Sequence, residues 1–221
     1  MTTPITKVTK STGKVQMSNR QPLWLYENFL SKDECSRIAE RILAKETHVN
    51  NLDNWRPTGY TGITRQFDVY NWLWDFQDDM GLDITTRLYT LPQLSVYRSL
   101  LIQCWSNVLR TNENLKEHVH SKNGYYYCAN IFISGDEDVG TWYDGYGTLR
   151  SEVGTLALFT SQHAHAVPIN KTKEPRISVA FDIFHVVNDK HKSEWENCYA
   201  IKKSNPSENL GLDSELKSKN Y

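Results

Sequence analysis

The run Arg-Ile-Ser-Val-Ala-Phe-Asp-Ile, residues 176–183, constrains the fold of this chain more than any other. Side chains alternate between the two faces of a strand. As a strand, this run puts Ile177, Val179, Phe181 and Ile183 on one face. Arg176, Ser178, Ala180 and Asp182 fall on the other. The first set is a core stripe. The second is polar or small and begins with a cation, so it lines a wet or ligand-filled cavity. A buried arginine needs a partner, and its planar fork suits a carboxylate held through two hydrogen bonds. No Asp or Glu adjacent in sequence serves, which leaves a ligand carboxylate as the candidate.

Similar runs precede it from residue 101 onward: LIQCWSNVL, GYYYCANIFIS, VGTWYDG and VGTLALFTS. They are short and rich in aromatic and β-branched residues. Turn residues separate most of them, at Asn123-Gly124, Ser134-Gly135-Asp136 and Asp144-Gly145. This spacing predicts a sandwich or small barrel. Helical patterns come first. Ser31 and Glu34 form a capping box, and Cys35, Ile38, Ala39, Ile42 and Leu43 follow at helical spacing, which predicts a helix of about 15 residues. NWLWDFQDDMG predicts a second helix capped at Asn71 and stopped at Gly81, with Trp72, Leu73 and Phe76 in the core. LPQLSVYRSLL fits either a helix or a strand. Helices followed by strands give an α+β, mainly β architecture with the helices packed on one sheet.

The 221 residues suit one domain spanning 21–187, preceded by a poorly ordered stretch at 1–20 and followed by a polar arm at 188–221. A net charge of −1 lacks the basic footprint that nucleic acid requires. No segment approaches the roughly 20 apolar residues of a membrane span. Four widely spaced cysteines form no CxxC, and the N-terminus has no apolar signal core. The expectation is reduced thiols in a cytoplasmic protein. The sequence sets no oligomeric state.

Four of the seven histidines fall in two pairs of the same spacing, His118 with His120 and His163 with His165. In an extended segment, members of a pair share a face. The ordered set is an H-x-H, a distal His and an Arg-x-Ser, with Arg176 11 residues beyond His165. It resembles the Fe(II)/2-oxoglutarate-dependent oxygenases, which are built on the double-stranded β-helix (jelly roll, cupin-like). The prolyl-hydroxylase-like branch is the most similar. WLYENFLSKDECSRIAERI resembles its opening segment, ANIFISGDEDVGTWY its central hairpin, and VGTLALFTSQHAHAVPINKTKEPRISVAF its closing block. A subgroup in bacteria and tailed phages also places W-x-N ahead of an H-x-H, as WSNV and EHVH do here.

The resemblance implies His118 and His165 as iron ligands and Arg176 as the residue that binds the distal carboxylate of 2-oxoglutarate. Ser178 assists Arg176, Asn107 contacts the cosubstrate, and Tyr127, sharing a face with Tyr125, lines the pocket. It implies Fe(II), 2-oxoglutarate and O2 as cofactors, and a peptide or small molecule as primary substrate. A phage-encoded protein in the host cytoplasm is consistent with it. The departure is at residue 120, where the family has Asp or Glu and this chain has His. Three imidazoles leave Fe(II) its full double charge. The expectation is ligation by His118, His120 and His165. The alternatives are a His120 turned away, leaving a place for water or halide, and loss of the metal. Rival functions are a three-His cupin-type dioxygenase that does not use 2-oxoglutarate, a non-catalytic jelly-roll module, and modification of nucleic acid. The stretch DGYGTLRSEVG and loop 47–70 are candidate lids.

Overall fold

The computed structural model describes residues 21–51, 63–64, 70–76, 84–120, 126–185, 199–203 and 212–215. The elements run β1 (Leu23–Tyr26), α1 (Lys32–Asn50), β2 (Ile63–Thr64), α2 (Leu73–Phe76), α3 (Ile84–Tyr89), β3 (Ser99–Leu109), β4 (Leu115–His118) and β5 (Tyr127–Ser134). They continue with β6 (Thr141–Tyr143), β7 (Gly147–Leu149), β8 (Leu156–Thr160), β9 (His165–Val167), β10 (Arg176–His185), β11 (Tyr199–Lys203) and β12 (Leu212–Glu215).

The strands form two antiparallel sheets. The larger has the order β1-β8-β5-β10-β3-β11-β12, with β2 also on β3, and the smaller has the order β4-β9-β6-β7. From β3 to β10 the backbone passes back and forth between the sheets, with β6 and β7 as one hairpin of the smaller. This is the topology of the double-stranded β-helix. The expected α+β, mainly β jelly roll is the fold observed.

The division of residues 176–183 continues into the neighbouring strands β3 and β5. Ile177, Val179, Phe181 and Ile183 join Ile102, Cys104 and Val108 of β3 and Ala129, Ile131 and Ile133 of β5 in the main core. Helix α1 packs on that face through Cys35, Ile38, Ile42 and Val49, at spacings of three, four and seven residues. Trp72, Leu73, Phe76, Ile84 and Leu88 of the following segment fill the same layer. The opposite face of the large sheet looks toward the small sheet, and the polar residues sit there.

The Ser31 capping box is present. The Ser31 hydroxyl accepts from Glu34 N at 3.2 Å, and Glu34 Oε2 accepts from Ser31 N at 2.8 Å. Glu34 also receives two bonds from Arg87, at 2.5 and 3.0 Å, which tie α1 to α3. Burial alone pushes the Glu34 carboxyl up, but the bonds from Arg87 and Ser31 together outweigh it and hold it below its ordinary value. A carboxylate depressed on folding adds stability above its unfolded pKa and loses it as pH falls through the folded value. Glu34→Gln is therefore expected to lower stability by about 1–2 kcal/mol at neutral pH, from the cap and the half-exposed ion pair together. The difference from the unmutated protein should shrink below pH about 4, as measured by urea unfolding across pH.

The structure departs from the sequence expectation in several places. Helix α1 has 19 residues, because Glu46 is held by two bonds from Arg110, at 2.9 and 2.6 Å, and Val49 remains buried. Helix α2 is a single described turn at Leu73–Phe76, with the Asn71 side chain accepting from Leu73 N at 3.1 Å; the expected stop at Gly81 lies outside the described residues. The ambiguous stretch 91–101 runs through turns to Arg98 and then enters β3. The stretch expected to trail as a polar arm supplies β11 and β12, and β11 pairs with the edge of β3 through Tyr199–Ile102 to Lys202–Ser99. Cys35, Cys104 and Cys128 are free and buried, while Cys198 lies outside the described residues. No helix among the described residues is long and apolar enough to cross a membrane.

Candidate metal centre

Pairing of β4 with β9 puts His118 directly opposite His165. Just beyond β4, His120 N donates to Ser161 O at 2.9 Å, which turns the His120 ring toward the same point. The ring centroids lie 4.3 Å (His118–His165), 5.1 Å (His120–His165) and 5.4 Å (His118–His120) apart. One nitrogen from each of the three lies within 4.8 Å of the others.

In each imidazole, Nδ1 is engaged by an oxygen. His118 Nδ1 donates to Lys116 O at 2.8 Å, His165 Nδ1 to His163 O at 3.0 Å, and His120 Nδ1 to Asp182 Oδ1 at 2.5 Å. These bonds fix the tautomer with the proton on Nδ1, the form in which Nε2 can act as a metal ligand. Metal-bound histidines are held in this way. Burial, and then the neighbouring imidazoles, push His165 well below its ordinary value; burial also lowers His118. Both rings are therefore neutral at neutral pH and ready to act as ligands. The donor set fits a divalent transition ion. The three imidazoles converge from two strands and the segment after β4, and three nitrogens do not complete the coordination of such an ion.

Aromatic rings enclose the triad. Trp105 lies 5.5 Å from His120, Phe159 4.7 Å from His165, and Tyr143 stacks on His165 at 6.1 Å. Tyr143 leads from the metal end toward the arginine. Its hydroxyl accepts from Asn130 Nδ2 at 2.8 Å. Burial pushes the phenol up to about 12, against the opposing pull of Asn130 and Arg176.

Arg176 is 2% exposed, on the cavity face of β10. Its Nη2 donates to Thr141 Oγ1 at 2.9 Å, Ser151 Oγ at 3.2 Å and Gly140 O at 3.3 Å, and the guanidinium lies 5.1 Å over the Phe132 ring. None of these partners is anionic. Arg176 Nε is buried and makes no hydrogen bond among the described residues. Burial lowers its pKa to about 10, opposed only by Tyr143. Gly135 permits the close approach of the preceding strand. It has φ +115°, and a Cβ there would lie 2.8 Å from Arg176 Cα.

Asn107 and Ser178 stand opposite each other on β3 and β10, with Asn107 Nδ2 3.5 Å from Ser178 Oγ and Asn107 Oδ1 unpartnered among the described residues. Both lie on the same sheet face as Arg176. Tyr127 is a correction. It is on the helix-side face of β5, packed against Trp24 and Tyr97, because strand alternation gives the cavity face to Cys128, Asn130 and Phe132. Tyr125 lies outside the described residues. His163 is buried and points away from the triad. Its Nε2 donates to Asp144 O at 3.1 Å, and its own carbonyl orients His165. Residues 144–154, expected as a lid, form the turn after β6, strand β7 and the segment that follows it, which supplies Ser151 to Arg176. Most of loop 47–70 lies outside the described residues.

The sequence reading missed Asp182, Cys128, Tyr143, Thr141 and Ser151. The first was within reach, because it shares the period-two face of Arg176 and Ser178. The others join the site only through pairing between strands.

The jelly roll thus brings together three converging imidazoles and a buried arginine that has no acidic partner among the described residues. No protein-family model matches the sequence, and no curated protein matches it. Solved structures do match. AviO1 from Streptomyces viridochromogenes Tue57 is 12% identical with a TM-score of 0.54, over 76% of this chain and 91% of that one. It establishes the shared fold. A Pseudomonas putida prolyl-4-hydroxylase is 12% identical with a TM-score of 0.48, over 75% and 94% of the two chains. HygX from Streptomyces hygroscopicus, solved with nickel, 2-oxoglutarate and hygromycin B bound, is 12% identical with a TM-score of 0.49, over 79% and 90%.

Proposed function

We propose that the protein is an Fe(II)- and 2-oxoglutarate-dependent dioxygenase acting on a C–H bond of a peptidyl or free amino-acid side chain. The observation that carries this reading is Arg176, a buried guanidinium with an unpaired Nε and only neutral partners among the described residues: it bonds Thr141 of β6, and Tyr143 of the same strand stacks on His165, one of three imidazoles that each offer a nitrogen to a common point. A buried cation without an anion is costly. A dicarboxylate that reaches from the triad to the guanidinium supplies that anion.

His118, His120 and His165 would hold the iron, which when bound supplies the redox chemistry that activates dioxygen. Arg176 takes the far carboxylate of 2-oxoglutarate, with Thr141 and Ser151 fixing the orientation of its fork. Asn107 and Ser178 offer polar atoms on the same face, next to the guanidinium. Trp105, Tyr143 and Phe159 exclude water around the triad. The choice of an amino-acid substrate rests on the prolyl-hydroxylase-like order of motifs, and one structurally similar protein, SnoN, is instead an epimerase.

Anaerobic titration of the protein with Fe(II) and then 2-oxoglutarate tests the reading. The expected result is the weak visible charge-transfer band of the ternary complex, with saturable heat in calorimetry. Iron binding without either signal would favour the three-His dioxygenase that does not use 2-oxoglutarate.

A further inference from the structure

Three imidazoles bring no negative charge to a divalent cation, and residue 120 is where the related pattern carries a carboxylate. The structure has a carboxylate immediately behind that residue. Asp182, 9% exposed on the cavity face of β10, accepts from His120 Nδ1 at 2.5 Å and from Cys128 Sγ at 3.1 Å, both through Oδ1. The imidazole ring lies between this oxygen and the shared point of the triad, so Asp182 cannot ligate the same ion while it holds His120. No lysine or arginine is paired with Asp182 among the described residues. Its charge is directed through the ring.

We propose that Asp182 is the charge-compensating residue of this site: through His120 it gives a three-imidazole centre the anionic character that a directly bound carboxylate would otherwise supply. It is a positioning residue, since it touches a ligand and not the ion or the substrate. A carboxylate accepting from the far nitrogen of a ligating histidine fixes the ring and raises its basicity, and such partners are worth 10–100-fold in metal affinity. Cys128 donates to the same oxygen and keeps the carboxylate aimed at His120. The two strands make this possible, because Asp182 and Cys128 are register partners between β10 and β5. The proposal rests on the three-imidazole part of the proposed function and not on 2-oxoglutarate.

The competing arrangement uses the same atoms as a second metal site, since His120, Cys128 and Asp182 also bring one donor each within 4.8 Å. In the structure those donors are bonded to one another, with Oδ1 accepting from both neighbours.

Calorimetry of metal-free, full-length protein with Mn(II), and the Fe(III)/Fe(II) potential of the iron-loaded protein, test the proposal. Asp182→Asn keeps the shape and an acceptor oxygen but removes the charge. It is expected to weaken Mn(II) binding by roughly 10–100-fold and to raise the potential, a shift that loss of packing alone does not produce. In a His120→Asp background the charge already sits at the ion, and Asp182→Asn should then change affinity by less than about twofold. That background also decides the matter if Asp182→Asn alone does not fold. Mn(II) affinity within about twofold of the unmutated protein together with an unchanged potential would overturn the proposal. So would binding of two ions per protein molecule that drops to one in Cys128→Ser. Failure of the unmutated protein to bind any ion would remove the triad itself. Metal binding without 2-oxoglutarate binding would leave the proposal standing and remove only the cosubstrate assignment.

Discussion

Arg176→Met is expected to weaken 2-oxoglutarate binding by roughly 2–5 kcal/mol, on the order of 30- to 4,000-fold in Kd, while Mn(II) affinity changes little. The methionine keeps an apolar stem over Phe132 and removes the fork. The size follows from burial, because a carboxylate drawn into a dry cavity without its guanidinium is left unpaired. The partners that orient the fork, Thr141 Oγ1 and Ser151 Oγ, are neutral and cannot take over its charge. Arg176→Lys should recover only part of the loss, since an ammonium is a point charge and does not present two parallel donors. Calorimetry with the metal-loaded variants checks both values. An unchanged 2-oxoglutarate Kd in Arg176→Met would remove the dicarboxylate from this cavity, and the three-imidazole centre would then belong to a different oxidation chemistry.

His165→Ala is expected to abolish specific metal binding. Loss of an outer partner costs 10–100-fold, and removal of a ligand from a set of three costs more. His165 is the most central of the three: its ring is nearer to each of the other two than they are to each other, and it is enclosed by Phe159 and Tyr143. His163→Ala is the matched contrast. It keeps the backbone carbonyl that orients His165 Nδ1 and removes a ring that points toward Asp144. Metal content after anaerobic loading and desalting, compared for the two variants, measures the difference. Equal metal retention in both would mean that the ion is held elsewhere.

Much of this arrangement was legible in the sequence because two independent periodicities agreed. The alternation in 176–183 separated a dry face from a wet one, and the H-x-H put His118 and His120 on one side; the same expectation failed for His163 and His165, because His163 precedes β9 and is not part of an extended run. His118 and His165 were placed together by the family resemblance, and the structure sets them opposite each other where β4 meets β9. The choice of His165 over His163 rested on the family's distance to the arginine; His165 joins the triad, while His163 bonds Asp144 O instead. Tyr127 was not legible. The run GYYYCANIFIS carries large residues on both faces, so its alternation does not say which face is wet; that is settled only when Cys128 registers with Asp182 and Asn130 with Ala180. The bond from His120 to Asp182 spans 62 residues of sequence, and no local pattern marks it. The pairing of β11 with β3 was hidden for another reason. β11, between β3 and β12, joins the sheet through backbone pairing, which leaves little trace in composition.

Strand β10 also works as a ruler. Asp182 and Arg176 stand six residues apart on it, about 20 Å of strand at roughly 3.3 Å per step, and nothing in between can stretch. One graduation added between Ser178 and Asp182 would move every mark on one side to the back of the scale. The guanidinium would then press into the helix layer while an isoleucine faced the cavity. Natural or engineered variation of this segment is therefore confined to exchanges that keep its length. The gap between the two anchors is set by the backbone itself, ahead of any choice of residue.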